Sequence, residues 1–480
     1  MMLDSFSAPG EDRSRIARFV VAAVSAGAVL GIGVAVASPL FAVLGLMGFA
    51  AAAAIFVNPE LGVLGFVAIA NLLPFAVIPV KFGLSLTMVD AVLTAVLVAW
   101  LYRALQKGRP VLGSFLNLPI LLYLGLTLTS FVLGLTYSIS PERLRLFIKS
   151  LNSILFFFAI LNCVRDLPSL RRAVSALILG GWAAAAIAVV LQLLPEGTTI
   201  QILSALGPLG YPTGADVLRP IADTDIMRAT GTSVDPNVLG GMLMLVAGLC
   251  FAQLISSNPI LPRMVIAPAI ATIAAALMLT HSRSAFGGMI VGAVVVGAFK
   301  DRRILLLVAA LLLAFPLLPR DWVFVERLWS GLAFEDRGAA MRLGEYQDAI
   351  QLISMYPWFG IGFGEPPSID LYLGVSSMYL LVGQEMGILG MLVFAGILGA
   401  AGFAVVSALT RPVDPVIKGI LLGLAAALAS AASAGLLDHY FVNILFPHMV
   451  ALFWLYVGLA AVATRLSSDR GQAKSPDPSG

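Results

Sequence analysis

Apolar runs of about twenty residues recur along this chain with almost no charge inside them, and that feature leaves few folds open. A bilayer core is roughly 30 Å thick, which about 20 helical residues cross. Runs of this length and apolarity read as membrane-spanning helices. They lie near 17–37, 39–57, 61–80, 86–104, 117–136, 146–163, 173–194, 237–256, 263–281, 284–299, 303–319, 377–407, 416–436 and 443–464. Only 11% of the 480 residues are charged, against roughly 25% in a soluble chain, too few to cover a water-facing surface. The expected fold is an all-α polytopic membrane protein with about 12–14 transmembrane helices.

Lys and Arg in short loops mark the cytoplasmic side. Alternation from a cytoplasmic N-terminus places Arg103, Lys107, Arg109, Arg165, Arg171, Arg172, Arg263, Lys300, Arg302, Arg303, Arg411, Lys418 and Arg465 inside. Arg143, Arg145 and Lys149 fall outside, which a miscounted helix or an anion-binding role would explain. Ala35-Val36-Ala37 resembles a signal-peptidase site, but Ile16–Val36 exceeds the roughly 7–15 residues of a signal core. It reads as an uncleaved first helix. Both termini are then cytoplasmic, in a plasma membrane. Residues 1–319 form an N-terminal bundle with an external loop at about 195–236. Residues 320–376 form a long external loop with a short amphipathic helix, 377–466 the C-terminal helices, and 467–480 a disordered cytoplasmic tail. The net charge of +3 comes from short basic clusters between apolar runs, which suits membrane orientation and excludes a nucleic-acid face. Cys163 and Cys250 indicate neither a disulfide framework nor redox chemistry.

Polar residues gather at the external face. Arg228-Ala229-Thr230-Gly231 leads to Asp235-Pro236-Asn237, where Asp235 suits an N-cap and Pro236 the first helical position. An arginine beside a helix N-terminus makes an anion site. Thr280-His281-Ser282-Arg283-Ser284 joins two apolar runs with almost no loop, and an arginine there either faces a cavity or snorkels to the headgroups. The second external segment contains a helix over about 339–355, with Tyr346, Ala349, Ile350 and Ile353 as its apolar face and Arg342 beside Glu345 as an ion pair. The turn Gly360-Ile361-Gly362-Phe363-Gly364 lacks the strand and lysine of a nucleotide loop; its glycines let the loop fold against the membrane face. Ser376-Ser377-Met378-Tyr379 then precedes Glu385, an ionisable group in an apolar helix, and Asp438-His439 lies in the last external loop. Asp223-Thr224-Asp225 has the spacing of a metal-binding Asp-x-Asp but reads as a solvated loop.

This order of elements resembles the O-antigen ligase and polysaccharide polymerase family of bacterial membrane glycosyltransferases. The resemblance rests on Arg228 to Gly231 with Asp235-Pro236-Asn237, then Ser282-Arg283-Ser284, Arg342, the 357–364 turn, and Tyr379-Leu380 before Glu385-Met386-Gly387. It implies a polyprenyl-diphosphate-linked glycan donor, a polysaccharide or lipid acceptor, membrane lipids and polysaccharide-assembly proteins as partners, and neither cofactor nor metal. Arg228, Arg283 and Arg342 match the family's arginines, whose guanidinium groups would stabilise the leaving diphosphate. Asp235, Asn237, Ser376 and Tyr379 are the expected substrate contacts. Ser376 stands where the family's ligases carry a histidine, and serine is no general base near neutral pH without help. Glu385 or His439 are the candidates to supply that role, and the change favours polymerase over ligase activity. The alternatives are a lipid-linked sugar flippase or a non-catalytic assembly protein. Transporters place polar groups at broken helices near the midplane, whereas here they collect at one face.

Overall fold

The computed structural model describes residue 25 and residues 39–78, 86–106, 110–136, 139–221, 224–317, 323–332, 337–364 and 375–472. The span expected at 17–37, most of the terminal tail and Asp223 lie outside them. Two compact units divide after Gly62. The first contains α1 (Pro39–Val57), and α2 (Pro59–Leu72) crosses the division.

In the second unit follow α3 (Met88–Leu105), α4 (Asn117–Gly134), α5 (Pro141–Cys163), α6 (Leu167–Leu193), α7 (Glu196–Ser204) and α8 (Pro236–Leu254). Next come α9 (Arg263–Thr280), α10 (Arg283–Phe299), α11 (Arg302–Ala314), α12 (Val323–Leu332) and α13 (Arg337–Met355). The last three helices are α14 (Met378–Leu409), α15 (Pro415–Ala434) and α16 (Pro447–Gln472). Among the described residues, nine helices are long and apolar enough to cross a membrane, and three shorter apolar ones accompany them. The chain is an all-α, multi-pass membrane protein. Several boundaries differ from expectation, two of them with a bearing on the fold. α2 stops at Leu72, before Pro74, because proline disfavours helical geometry in the residue ahead of it. α16 continues to Gln472, into the expected tail.

Burial separates central from lipid-facing helices: 83% of the apolar window of α8 and of α16 is buried, against 28% for α14. Hydrogen bonds sort the loops into two ends. Arg465 donates to Leu161 O and Val164 O, both at 3.2 Å, while Ser153 Oγ donates to Pro447 O at 3.1 Å, so α5 and α16 run parallel. The starts of α3 and α5 share one end, where Lys149 Nζ meets Asp90 Oδ2 at 2.7 Å. The Arg143 guanidinium donates to Phe363 O (3.2 Å) and Gly364 O (2.8 Å). Two of the three basic residues that break the loop-charge rule are thus held by protein partners, and no helix need be added to explain them.

Candidate functional site

Arg228 is fixed from two sides. Its Nε donates to Thr280 O at 2.8 Å and its Nη2 to Asn237 Oδ1 at 2.7 Å. Ala229 N donates to Leu279 O at 2.9 Å, stitching the 228 segment to the end of α9. Asp235 caps α8, accepting from Asn237 N (2.7 Å) and Val238 N (3.0 Å), the role its position ahead of Pro236 foretells. Two non-glycine residues with positive φ among the described residues fall in these two motifs, Val234 at 59° and His281 at 50°. Left-handed backbone is strained for a β-branched valine and persists where its surroundings over-determine it. The His281 turn leaves no loop between α9 and α10, so Ser282, Arg283 and Ser284 emerge directly beside the 228 segment. Arg283 lies against Gly331 of α12 so closely that a Cβ at Gly331 would overlap its guanidinium.

The turn after α15 completes this cluster. Asp438, 6% exposed, accepts from Ser284 Oγ through Oδ2 at 3.2 Å and from His439 N through Oδ1 at 3.0 Å. His439 Nδ1 faces the same carboxylate at 3.8 Å. Burial raises the Asp438 carboxyl above its usual range, and the His439 and Arg342 charges pull it back down. Arg342 acts likewise on Tyr346 and Tyr440, whose hydroxyls burial also raises. Tyr440 packs on α8 at Gly241, where a Cβ would overlap its ring. Met378 N, opening α14, donates to Asp438 O at 3.0 Å. The elements carrying Asp235, Ser284, Arg342, Met378 and Asp438 thus meet at one end of the helices.

The expected ion pair between Arg342 and Glu345 is not what joins α13 to the rest among the described residues. Glu345 Oε2 instead accepts from Ser376 N at 2.9 Å, and Tyr346 Oη donates to Ser376 O (3.1 Å) and Leu436 O (2.9 Å). The buried stripe of α13 is Glu345, Ala349 and Leu352, while Ile350, expected on that face, is 57% exposed. Ser376 is therefore clamped through its backbone. Tyr379 Oη donates to Ala432 O at 2.8 Å, fastening α14 to α15.

Glu385 has different neighbours. α14 breaks at Gly387 (φ 68°, ψ −168°), and the 357–364 turn fills the break. Ile361 N and Gly362 N donate to the Gln384 and Glu385 carbonyls at 2.8 and 3.0 Å, and Ile388 N donates to Pro357 O at 2.7 Å. Broken helices inside a membrane need such substitute partners. Gly387 is required twice, for its positive φ and because a Cβ would overlap the Trp358 backbone. The buried Glu385 interacts with Tyr123 of α4 and with Arg143, the arginine that also holds the end of the turn. Glu385 thus belongs to the packing of the break, with Arg143 as its charged neighbour.

The sequence pattern of the O-antigen ligase family matches residues 268–404. The O-antigen ligase of Pseudomonas aeruginosa (strain PAO1) is 27% identical over 281 residues, which cover 56% of this chain and 67% of that protein. Over these residues the chain is similar to the O-antigen ligase family. That similarity supports a membrane glycosyltransferase-like role. The family match takes in Arg283, Arg342, Ser376, Tyr379 and Glu385, while Arg228, Asp235, Asn237 and Asp438-His439 lie outside it. Ser284 and Tyr346 escaped the sequence reading as cluster members, whereas Tyr440 directly follows Asp438-His439 in their polar loop. Ser284 was visible only as part of a motif, and Tyr346 carried no signal beyond that of apolar packing.

Proposed function

We propose that this protein transfers a glycan from a polyprenyl diphosphate carrier to a sugar hydroxyl at the external face of the bacterial plasma membrane, elongating polysaccharide rather than ligating it to a lipid core. The observation that carries this reading is the meeting of the Arg228, Arg283–Ser284, Arg342 and Asp438–His439 segments at one end of the helices, despite their separation in sequence. Guanidinium groups repel one another unless an anion or carboxylates lie between them. Asp438 meets part of that need, and a diphosphate would meet the rest.

In the proposed reaction the acceptor oxygen attacks the anomeric carbon, the carbon–oxygen bond to phosphate breaks, and polyprenyl diphosphate leaves with the electron pair. Arg228, Arg283 and Arg342 stabilise the charge growing on that diphosphate. His439 takes the acceptor proton, with its Nδ1 side turned toward the Asp438 carboxylate; catalytic hydrogen bonds that are long without substrate tighten in the complex. Ser376 and Tyr379 border the acceptor side, and Asp235 and Asn237 hold the Arg228 side. The buried surroundings of Glu385 favour His439 over Glu385 as the base. The polymerase reading draws support from Ser376, which offers no imidazole at the start of α14. With both termini cytoplasmic, the loops at about 195–236 and 320–376 face outward, where a translocated lipid-linked donor resides. Polysaccharide chain length in cells expressing the protein in place of their own polymerase tests the activity. A reporter fused at Gly338 tests the side. Long polymer and an external signal are expected; short polymer of unchanged length, or a cytoplasmic reporter, overturns the reading.

A further inference from the structure

α8, α10, α14 and α15 meet at Asp438 and meet again at their opposite ends. The 19 residues of α8 put roughly 28 Å between the two levels, about the thickness of a bilayer core. At the far level the ends of α8, α10 and α14 and the start of α15 enclose a cavity of about 150 Å³, walled by Ser256, Phe299, Lys300, Lys418, Gly419 and Leu422. A water takes about 30 Å³ of liquid volume, so the space admits several waters or one tetrahedral anion.

Its polar equipment is one-sided. Lys300 and Lys418 both line it. Behind the Gly419 wall stands Gln253, only 1% exposed, with its amide orientation set because Oε1 accepts from Ile260 N at 2.9 Å. Nε2, on the opposite side of the amide, has no hydrogen-bond partner among the described residues and packs 3.3 Å from where a Gly419 Cβ would sit. Ser256 Oγ lies 2.7 Å from the same point. The acidic residues flanking these helix ends cap them: Asp301 accepts from Arg303 N at 3.0 Å and Asp414 from Val416 N at 2.9 Å.

We propose that this cavity binds a phosphate-bearing anion presented by a membrane lipid, the headgroup between Lys300 and Lys418 and the chains along the apolar wall of Phe299 and Leu422. Phosphate supplies acceptors for two ammonium groups and for the serine hydroxyl at once. The level of the cavity, one bilayer core away from Asp438, is that of the opposite headgroups. The proposal is independent of the glycan reaction.

The test uses the purified full-length chain in nanodiscs of phosphatidylcholine alone, of phosphatidylcholine with phosphatidylglycerol, and of phosphatidylcholine with inorganic phosphate in solution. Thermal unfolding midpoints and lipid retained in native mass spectrometry are the readouts. Wild type should gain stability and retain phosphatidylglycerol selectively. The double variant Lys300→Gln/Lys418→Gln should retain at least tenfold less, with an unchanged midpoint in phosphatidylcholine alone showing that it folds. Arg171→Gln, at the same end of the helices, should behave as wild type. Equal phosphatidylglycerol effects in wild type and the double variant, or an equal loss in Arg171→Gln, overturn the site. An equal gain from inorganic phosphate alone overturns presentation by a lipid.

Discussion

Replacing Asp438 with Asn separates charge from shape at the centre of the cluster. Asparagine keeps an oxygen for His439 N and leaves the bond from Met378 N to the backbone carbonyl untouched. The bond with Ser284 reverses, Asn Nδ2 donating to the hydroxyl, and any weakening costs at most about 1 kcal/mol. What disappears is the negative charge 3.8 Å from His439 Nδ1. Unit charges about 4 Å apart are worth roughly 4 kcal/mol at an effective dielectric of 20, and partial exposure of His439 lowers this to roughly 2–4 kcal/mol. The stabilised species is the imidazolium formed as the acceptor proton is taken, so the loss falls on the rate, by roughly 30- to 1,000-fold. The assay is polymer formed per unit of membrane-inserted protein in cells lacking their own polymerase. D438N polymer within twofold of wild type, at equal membrane levels, would sink the pairing of Asp438 with His439.

The same variant carries a pH signature. A carboxyl whose value is raised in the folded state lends stability that is complete below its unfolded value, about 3.9, and lost as pH rises through the folded value. The unfolding midpoint of wild type should therefore decline relative to D438N as pH rises above the ordinary carboxylate range; parallel curves would contradict it. Arg283→Lys should lower polymer formation roughly 100- to 1,000-fold with normal insertion, because an ammonium cannot reproduce the two-toothed bond to a diphosphate. Normal polymer from that variant would leave Arg283 a headgroup anchor. His439→Gln should reduce polymer formation roughly 100-fold or more, whereas Glu385→Gln should stay within roughly tenfold of wild type. The reverse order would return the base to Glu385.

Hydropathy alone located the helices, because spanning residues must be apolar whatever their partners, and the charge alternation assigned the basic loops to one end with one exception. Its one exception resolved into Arg143 on the 357–364 turn and Lys149 on Asp90, long-range pairings with no local signature. Asp235 was readable as a cap since capping depends on its immediate neighbours. Asp438-His439 was readable as a polar pair in a loop, but adjacency in sequence does not fix side-chain direction; the non-helical backbone there brings Oδ1 and Nδ1 to one side. The 357–364 glycines looked like a folded loop, but their function depends on a break in α14 that only the tertiary structure reveals. Glu345 was paired with Arg342 by helical spacing, yet Ser376 N competes for it from across the loop.

The central claim is that the arginines and Asp438-His439 act together on a lipid diphosphate. It is tested most directly by incubating the purified chain in nanodiscs with a polyprenyl-diphosphate-linked oligosaccharide and measuring polyprenyl diphosphate released with each glycosidic bond formed. Stoichiometric release by wild type, falling at least roughly 100-fold in both Arg283→Lys and His439→Gln, is the expected result. Release that persists in both variants, or glycan transfer without release of the diphosphate, would contradict it.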